Sequence, residues 1–541
     1  MNFAYLFRNC VLLAITIHTQ SLCAAPPTIE ALLPASLQQA TTTEVFVSGS
    51  RSKWPVQVWC NSSDIQITPL EKEHHVQIQL PDKVTPGVYL MRIFDAEGAS
   101  SVHSFLVESL PHIAEKEPNN ALRQGTEVTL PVIATGQLAA SADVDQFSFN
   151  LNAGDTFLAA VRAKSLLNSP MDTVMQICNE RGFVVEQNDD ERGVDPMILF
   201  QPEKTGHYTV RLFAFPETPN STIGFASGDK FVYSLTMTTD GFLDRAFPLA
   251  TQRGVSNEVR LAGWSIDEPS GSQIITPGPD QSQVVLFHPA LCGFLTLPVV
   301  DHPCQDLDPF ASEHVLPIPA TVATHISKTD ETDDFQFQAT NGQTIQFKVA
   351  SRSLGYPLDP LIKILDPDKK VLATADDVNN ENRDAELSFT APADGVYHLQ
   401  VRDVYGHGGP RYAYRLSATH PQPDYRLKLA VDKFVVVAGT ELEIPITIER
   451  LDGFNEPIEI AIASLPQGME SAAVISPIEG EAAKEVKLKL KGDVATNTPI
   501  QIKGTSQGEL ALHRTATYAV PATDLGLADV WVTLTAPAAD E

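Results

Sequence analysis

The chain repeats itself, and this limits its architecture more than any other feature. Leu33-Pro34-Ala35-Ser36-Leu37-Gln38, followed by Glu44-Val45-Phe46-Val47-Ser48-Gly49, reappears as Phe247-Pro248-Leu249-Ala250-Thr251-Gln252, followed by Glu258-Val259-Arg260-Leu261-Ala262-Gly263. Pro, Gln, Glu, Val and Gly keep their spacing. A second repeat lies downstream of each copy. Asp145-Gln146-Phe147-Ser148-Phe149, then Ala153-Gly154-Asp155-Thr156-Phe157, matches Asp333-Asp334-Phe335-Gln336-Phe337, then Asn341-Gly342-Gln343-Thr344-Ile345. The match runs on through Asp189-Asp190 against Asp376-Asp377 and Gly206-His207-Tyr208 against Gly395-Val396-Tyr397. A two-domain module is therefore present twice.

Inside the repeats the apolar period is two, which puts alternate residues on one face of a strand. Phe147, Phe149 and Leu151 alternate with Ser148 and Asn150; Ile345, Phe347 and Val349 follow an Asn341-Gly342 turn. Each successive pair reads as a hairpin with one buried face, as do Val76–Leu80 and Val88–Ile93 across Pro86-Gly87. No comparably clear helical pattern occurs after the N-terminus. The expected fold is all-β, a tandem of antiparallel β-sandwiches, Ig-like and jelly-roll-like. The 39 prolines and 31 glycines fit a chain of many turns.

Residues 1–25 read as a secretory signal: Arg8 gives the positive start, Val11–Ile17 the apolar stretch, and Ser21–Ala25 a small-residue cleavage zone. Leu22 before Cys23 does not fit a lipoprotein. No later apolar run reaches the roughly 18 residues of a membrane helix. The mature chain is expected to be exported to the periplasm, cell surface or extracellular space. With 38 basic and 67 acidic residues the full chain carries −29. Loss of Arg8 would leave −30, a charge that phosphate repels, so nucleic acid is excluded as a partner. Oxidising conditions would permit Cys292 and Cys304 to staple one loop, whereas Cys60 and Cys178 read as free buried thiols.

The run Glu115-Lys116-Glu117-Pro118-Asn119-Asn120, then Gly136-Gln137-Leu138, Asp143-Val144-Asp145-Gln146-Phe147 and Gly206-His207-Tyr208, resembles the bacterial pre-peptidase C-terminal (PPC) domain, whose signals occur in that order. The later copy lacks the E-P-N-N opening and looks like a divergent member. The preceding units are similar to immunoglobulin-like IPT/TIG domains, and the last resembles a bacterial Ig-like sandwich. This divides the chain into a signal (1–25), IPT/TIG-like (26–112), PPC-like (113–240), IPT/TIG-like (241–313), divergent PPC-like (314–420) and C-terminal Ig-like (421–541) units. The whole resembles large secreted proteins of planctomycete-like bacteria.

Glu115, Glu117, Asn119, Asn120, Asp143 and Asp145 form the sharpest chemical constellation. Two short segments of carboxylates and carboxamides supply the hard oxygens that calcium takes, six to eight at a time. The PPC resemblance implies a calcium role for these residues. By residue type alone, the same run also reads as a solvated linker with a Pro-Asn turn, with Asp143 and Asp145 capping a strand. Glu331, Asp333 and Asp334 in the second copy lack the first segment. Asn188–Glu191 and Asp376-Asp377 read as turns.

Nothing marks an enzyme. A GxSxG elbow, a P-loop, an HExxH and a CxxC pair are absent, and isolated carboxylate pairs mean little in so acidic a chain. His74, His75, His103, His207, His398 and His407 are scattered. Trp59 and Tyr414 read as core, while Tyr405 beside Gly406–Pro410 stays open as a binding aromatic. The expected role is noncatalytic: binding extracellular polysaccharide or fibrous protein, or spacing modules at the cell surface. The alternative is an accessory or targeting component of a secreted peptidase or hydrolase system.

Overall fold

The computed structural model describes residues 25–51, 53–121, 123–216, 224–267, 270–307, 314–379 and 382–537. The secretory signal expected over 1–25 thus lies, Ala25 apart, outside the described residues. The described chain is all-β, with helix limited to single turns such as Lys164–Leu167. No described helix is long and apolar enough to cross a membrane.

Five separate apolar cores mark five sandwiches. They centre on Val45, Val76 and Phe105; on Phe147, Phe157 and Val210; on Leu243, Leu261 and Leu297; on Phe335, Phe347 and Leu399; and on Ile446, Leu488 and Val532. We call them units one to five.

Units two and four share one topology. In unit two, one sheet runs in the order His112–Ala114, Val132–Gln137, Val232–Thr238, Phe157–Arg162, Met197–Phe200. The facing sheet runs Thr126–Glu127, Asp145–Leu151, Gly206–Pro216, Met171–Asn179, Val184–Asn188. Unit four repeats this order strand for strand, its chain running from Cys304–Asp306 at a sheet edge to Ala413–Thr419 at the centre of the same sheet. Cys304–Asp306, which the sequence division places in the preceding unit, pairs in parallel with Thr321–Ala323 and so opens the sheet of unit four. Most neighbours are antiparallel, but the entering strands of units two and four join in parallel, as His112–Ala114 does with Ile133–Thr135.

The expected hairpins are not hairpins. Asp145–Leu151 pairs with Gly206–Leu212, while Phe157–Arg162 pairs with strands of the opposite sheet. Asp333–Ala339 and Thr344–Ala350 are likewise split between sheets, as are His75–Gln79 and Gly87–Asp95. Each turn carries the chain across the core, so the alternating apolar residues of both strands meet face to face. Phe149 and Phe157 do so with ring centroids 4.5 Å apart. One buried face per strand is common to a hairpin and to this arch, so periodicity alone does not separate them.

The expected Cys292–Cys304 staple is also corrected: all four described cysteines are free. Cys292 is buried against Leu158, Met197 and Phe242, while Cys304 lies on the entering strand of unit four. The burial that holds the two in different packing layers pushes each thiol up to about 11. Cys178 is buried as expected and Cys60 half-buried.

Small apolar clusters seal the joints between units. Leu106 meets Leu167, Val232 and Phe294; Phe242 meets Leu158 and Ala160; Phe247 meets Ala323 and Tyr356. Unit one also packs against unit five, where Leu90 and Val102 meet Val520 and Leu527. There Arg92, 1% exposed, ion-pairs with Asp432 at 3.2 Å, between the rings of Trp59 and Trp531. The five units therefore close on themselves, and Trp59 serves this joint.

Candidate metal centre

Glu115 leaves the entering strand of unit two with its N–H bonded to Thr135 O at 3.0 Å. Its side chain turns back over Gly136. Its Oε1 accepts the Gln137 N–H at 2.8 Å, and its Oε2 lies 3.1 Å from the Tyr233 hydroxyl. Tyr233, fully buried and directly opposite Gly136 in the ladder, donates to Asp145 Oδ2 at 2.7 Å. A Cβ at position 136 would overlap both the Glu115 carboxylate and the Tyr233 hydroxyl, so only glycine leaves room for this approach.

Carboxylate oxygens of Glu115, Glu117 and Asp145 converge within 4.8 Å of one another. Glu117 is held by the Asn119 N–H at 2.9 Å. Asn119 is fully buried and its backbone carbonyl accepts from Gln146 Nε2 at 3.0 Å, yet neither polar atom of its side chain has a partner. Asp143, 1% exposed, spends Oδ2 on the Ala140 N–H and leaves Oδ1 unpaired; Asp145 Oδ1 is unpaired too. Of the six residues singled out in the sequence, Asn120 is the one whose side chain is engaged elsewhere: its Oδ1 accepts the Val144 N–H at 2.7 Å and ties the two segments together.

Burial and crowding make Asp145 and Glu115 harder to ionise. Burial first, then the neighbouring Glu115, pushes Asp145 up to about 9, and burial raises Glu115 as well. Orphaned buried polar atoms normally have an unseen partner, and a proton on Asp145 answers for only part of this set. The donors are all oxygens, carboxylate or carboxamide, with no sulfur or imidazole among them. That set fits a hard cation such as calcium and not zinc. Glu115, Glu117, Asp143, Asp145 and Asn119 would hold it; the cation would supply the positive charge that this pocket of carboxylates lacks.

Unit four shows the same place without the centre. Leu307 makes the backbone bond to Ala323 that Glu115 makes to Thr135, and Thr324 stands opposite Tyr414 where Gly136 stands opposite Tyr233. Asp333 remains, bonded to the buried Tyr414 hydroxyl and pushed by burial up to about 7. Glu331 accepts the Ser327 and Lys328 N–H groups, and Asp334 pairs with His398 at 2.6 Å. One carboxyl with its tyrosine is left from the constellation.

Tyr233 and Gly136 are the participants that residue type alone did not single out. The signal for Tyr233 lies in the repeat, where Tyr233 and Tyr414 hold equivalent positions; Gly136 has Thr324 as its counterpart and is marked only by the Gly136-Gln137-Leu138 run. Tyr414 is core as expected, and Tyr405 is 65% exposed. Asn188 accepts the Glu191 and Met197 N–H groups, a structural turn.

The family model of the bacterial pre-peptidase C-terminal domain matches residues 331–403, within the copy that the sequence reading treats as divergent. A curated relative described as "Probable subtilase-type serine protease", from Deinococcus radiodurans, is 31% identical over 191 residues, covering 32% of this chain and 25% of that protein. The match thus spans about a quarter of that relative's length. Among solved structures, the pre-peptidase C-terminal domain of collagenase from Bacillus anthracis is similar at 18% identity and a TM-score of 0.17, over 20% of this chain and 94% of that one. The fibronectin(III)-like modules of Clostridium thermocellum CbhA align at 14% identity and a TM-score of 0.14, over 40% of this chain and 94% of that one. By the family model alone, residues 331–403 of unit four are a pre-peptidase C-terminal domain.

Proposed function

We propose that this chain is a noncatalytic exported protein, built of two IPT/TIG-like, two PPC-like and one Ig-like sandwich, that binds extracellular polysaccharide or fibrous protein or spaces modules at the cell surface. Calcium held by Glu115, Glu117, Asn119, Asp143 and Asp145 rigidifies the junction of units one and two. The observation that carries this reading is the convergence of the Glu115, Glu117 and Asp145 carboxylates at the entrance of unit two, where one buried oxygen each of Asp145, Asp143 and Asn119 has no partner. The noncatalytic assignment rests on five sandwich cores that account for nearly all the described chain. The exposed Tyr405, beside His407, offers a flat face for a polymer.

A role as accessory to a secreted peptidase is the second reading, favoured by the 191-residue likeness to the subtilase-type protein. One experiment separates these readings from an enzyme. Purified full chain is incubated with insoluble polysaccharides and fibrous proteins, with and without calcium, and both retention and released products are measured. Retention without new reducing ends or peptide termini is expected. Product release that co-purifies with the chain through successive columns would contradict the noncatalytic reading.

A further inference from the structure

Units two, three, four and five meet around a chamber of about 500 Å³, within the range of small-molecule sites. Its walls carry three arginines: Arg162 and Arg192 from unit two and the exposed Arg352 from unit four. Arg162 lies over the Phe294 ring at 4.9 Å and donates to Phe294 O at 3.4 Å; Arg192 lies over the Phe242 ring at 5.6 Å. Among the described residues neither forms an ion pair, although this chain holds 67 acidic side chains. The nearby carboxylates are mostly occupied. Asp195 accepts the Ala163, Lys164 and Ser165 N–H groups, and Asp244 pairs with Arg245 and Arg411. Glu108 and Asp524 remain, the latter exposed on the chamber wall; burial raises both carboxyls, against the pull of Arg162 and Arg192 on Glu108 and of Arg415 on Asp524.

Arg162 and Arg192 therefore stand as two mutually repelling cations in a partly enclosed space, and burial followed by Arg192 brings Arg162 down to about 9. Each guanidinium rests on an aromatic ring, and guanidinium groups carry paired N–H donors of the kind that oxyanions accept. We propose that this chamber binds a small oxyanion, a sulfate, phosphate or carboxylate borne by a free ion or a sugar acid, between Arg162 and Arg192 with Arg352 assisting. This site is independent of the calcium centre. Its ligand bridges units two and four, which also meet through the Arg411–Glu191 ion pair.

The test is calorimetric titration of the full chain with sodium sulfate, sodium phosphate and sodium glucuronate at fixed ionic strength. Saturable one-to-one binding of at least one is expected; sulfate or phosphate alone identifies a free anion, and glucuronate a sugar acid. Arg192→Gln should weaken binding at least tenfold. Val194→Glu places a carboxylate in the same chamber, so it should abolish binding while leaving the melting temperature unchanged or raised, which separates site loss from misfolding. Absence of saturable binding for all three anions would overturn the proposal. So would undiminished binding in both variants when circular dichroism shows them folded.

Discussion

Asp145 sits buried against Glu115 and the Tyr233 hydroxyl, where its carboxyl resists ionisation. Burial and the neighbouring Glu115 push its carboxyl up to about 9, whereas an unfolded chain releases that proton near 3.8. The native state therefore binds more protons than the unfolded state between these limits. This contribution to stability is complete below the lower limit and is lost as pH rises towards the upper one, with a limiting slope of about 1.4 kcal/mol per pH unit. In chelator, urea midpoints should fall from pH 5 to pH 8.5 more steeply for the natural chain than for Asp145→Asn. Parallel profiles would contradict the assigned protonation. Calcium must displace this proton, so its affinity should rise with pH over the same window. The carboxylates were legible in the sequence because they cluster in two short runs. Tyr233 was not, nor the role of Gly136 within its run, because only strand register brings position 233 opposite position 136.

At the scale of elements, strand identity was legible and partner choice was not. Alternation in Asp145–Leu151 and Phe157–Arg162 reports one buried face each, which is satisfied whether the two share a sheet or face each other across the core. A second device also escaped the pattern. After Phe157–Arg162 the chain makes a tight turn whose Ala163, Lys164 and Ser165 N–H groups all end on the buried Asp195 carboxylate. Unit four repeats it, with Asp384 accepting from Ser351 and Ser353. These turns point into the joints: Leu166 N–H bonds to Ala522 O of unit five. Asp195→Ala would strand several buried donors, and we expect a loss of about 3 kcal/mol by urea denaturation, with faster amide exchange over residues 163–166. An unchanged midpoint would show that the turn does not need its carboxylate.

Across the whole molecule the repeat predicted a tandem, and the structure closes it. The joint of unit one with unit five rests on Arg92 and Asp432, 340 positions apart, and no local pattern foretells such a pair. Asp432 Oδ2 also accepts the Val102 N–H at 2.8 Å, so Asp432→Ala leaves a buried cation and a buried amide unpaired. A cost of about 3–5 kcal/mol follows for the closed form, and the radius of gyration from X-ray scattering should rise as unit five swings free. An unchanged radius would mean that the apolar contacts suffice. The central functional claim, a single calcium centre in unit two, is tested most directly by calorimetric titration of calcium into the chelator-treated full chain. The account predicts one equivalent bound, abolished by Asp145→Asn and retained by Asp333→Asn; no binding, or binding that survives Asp145→Asn, would contradict it.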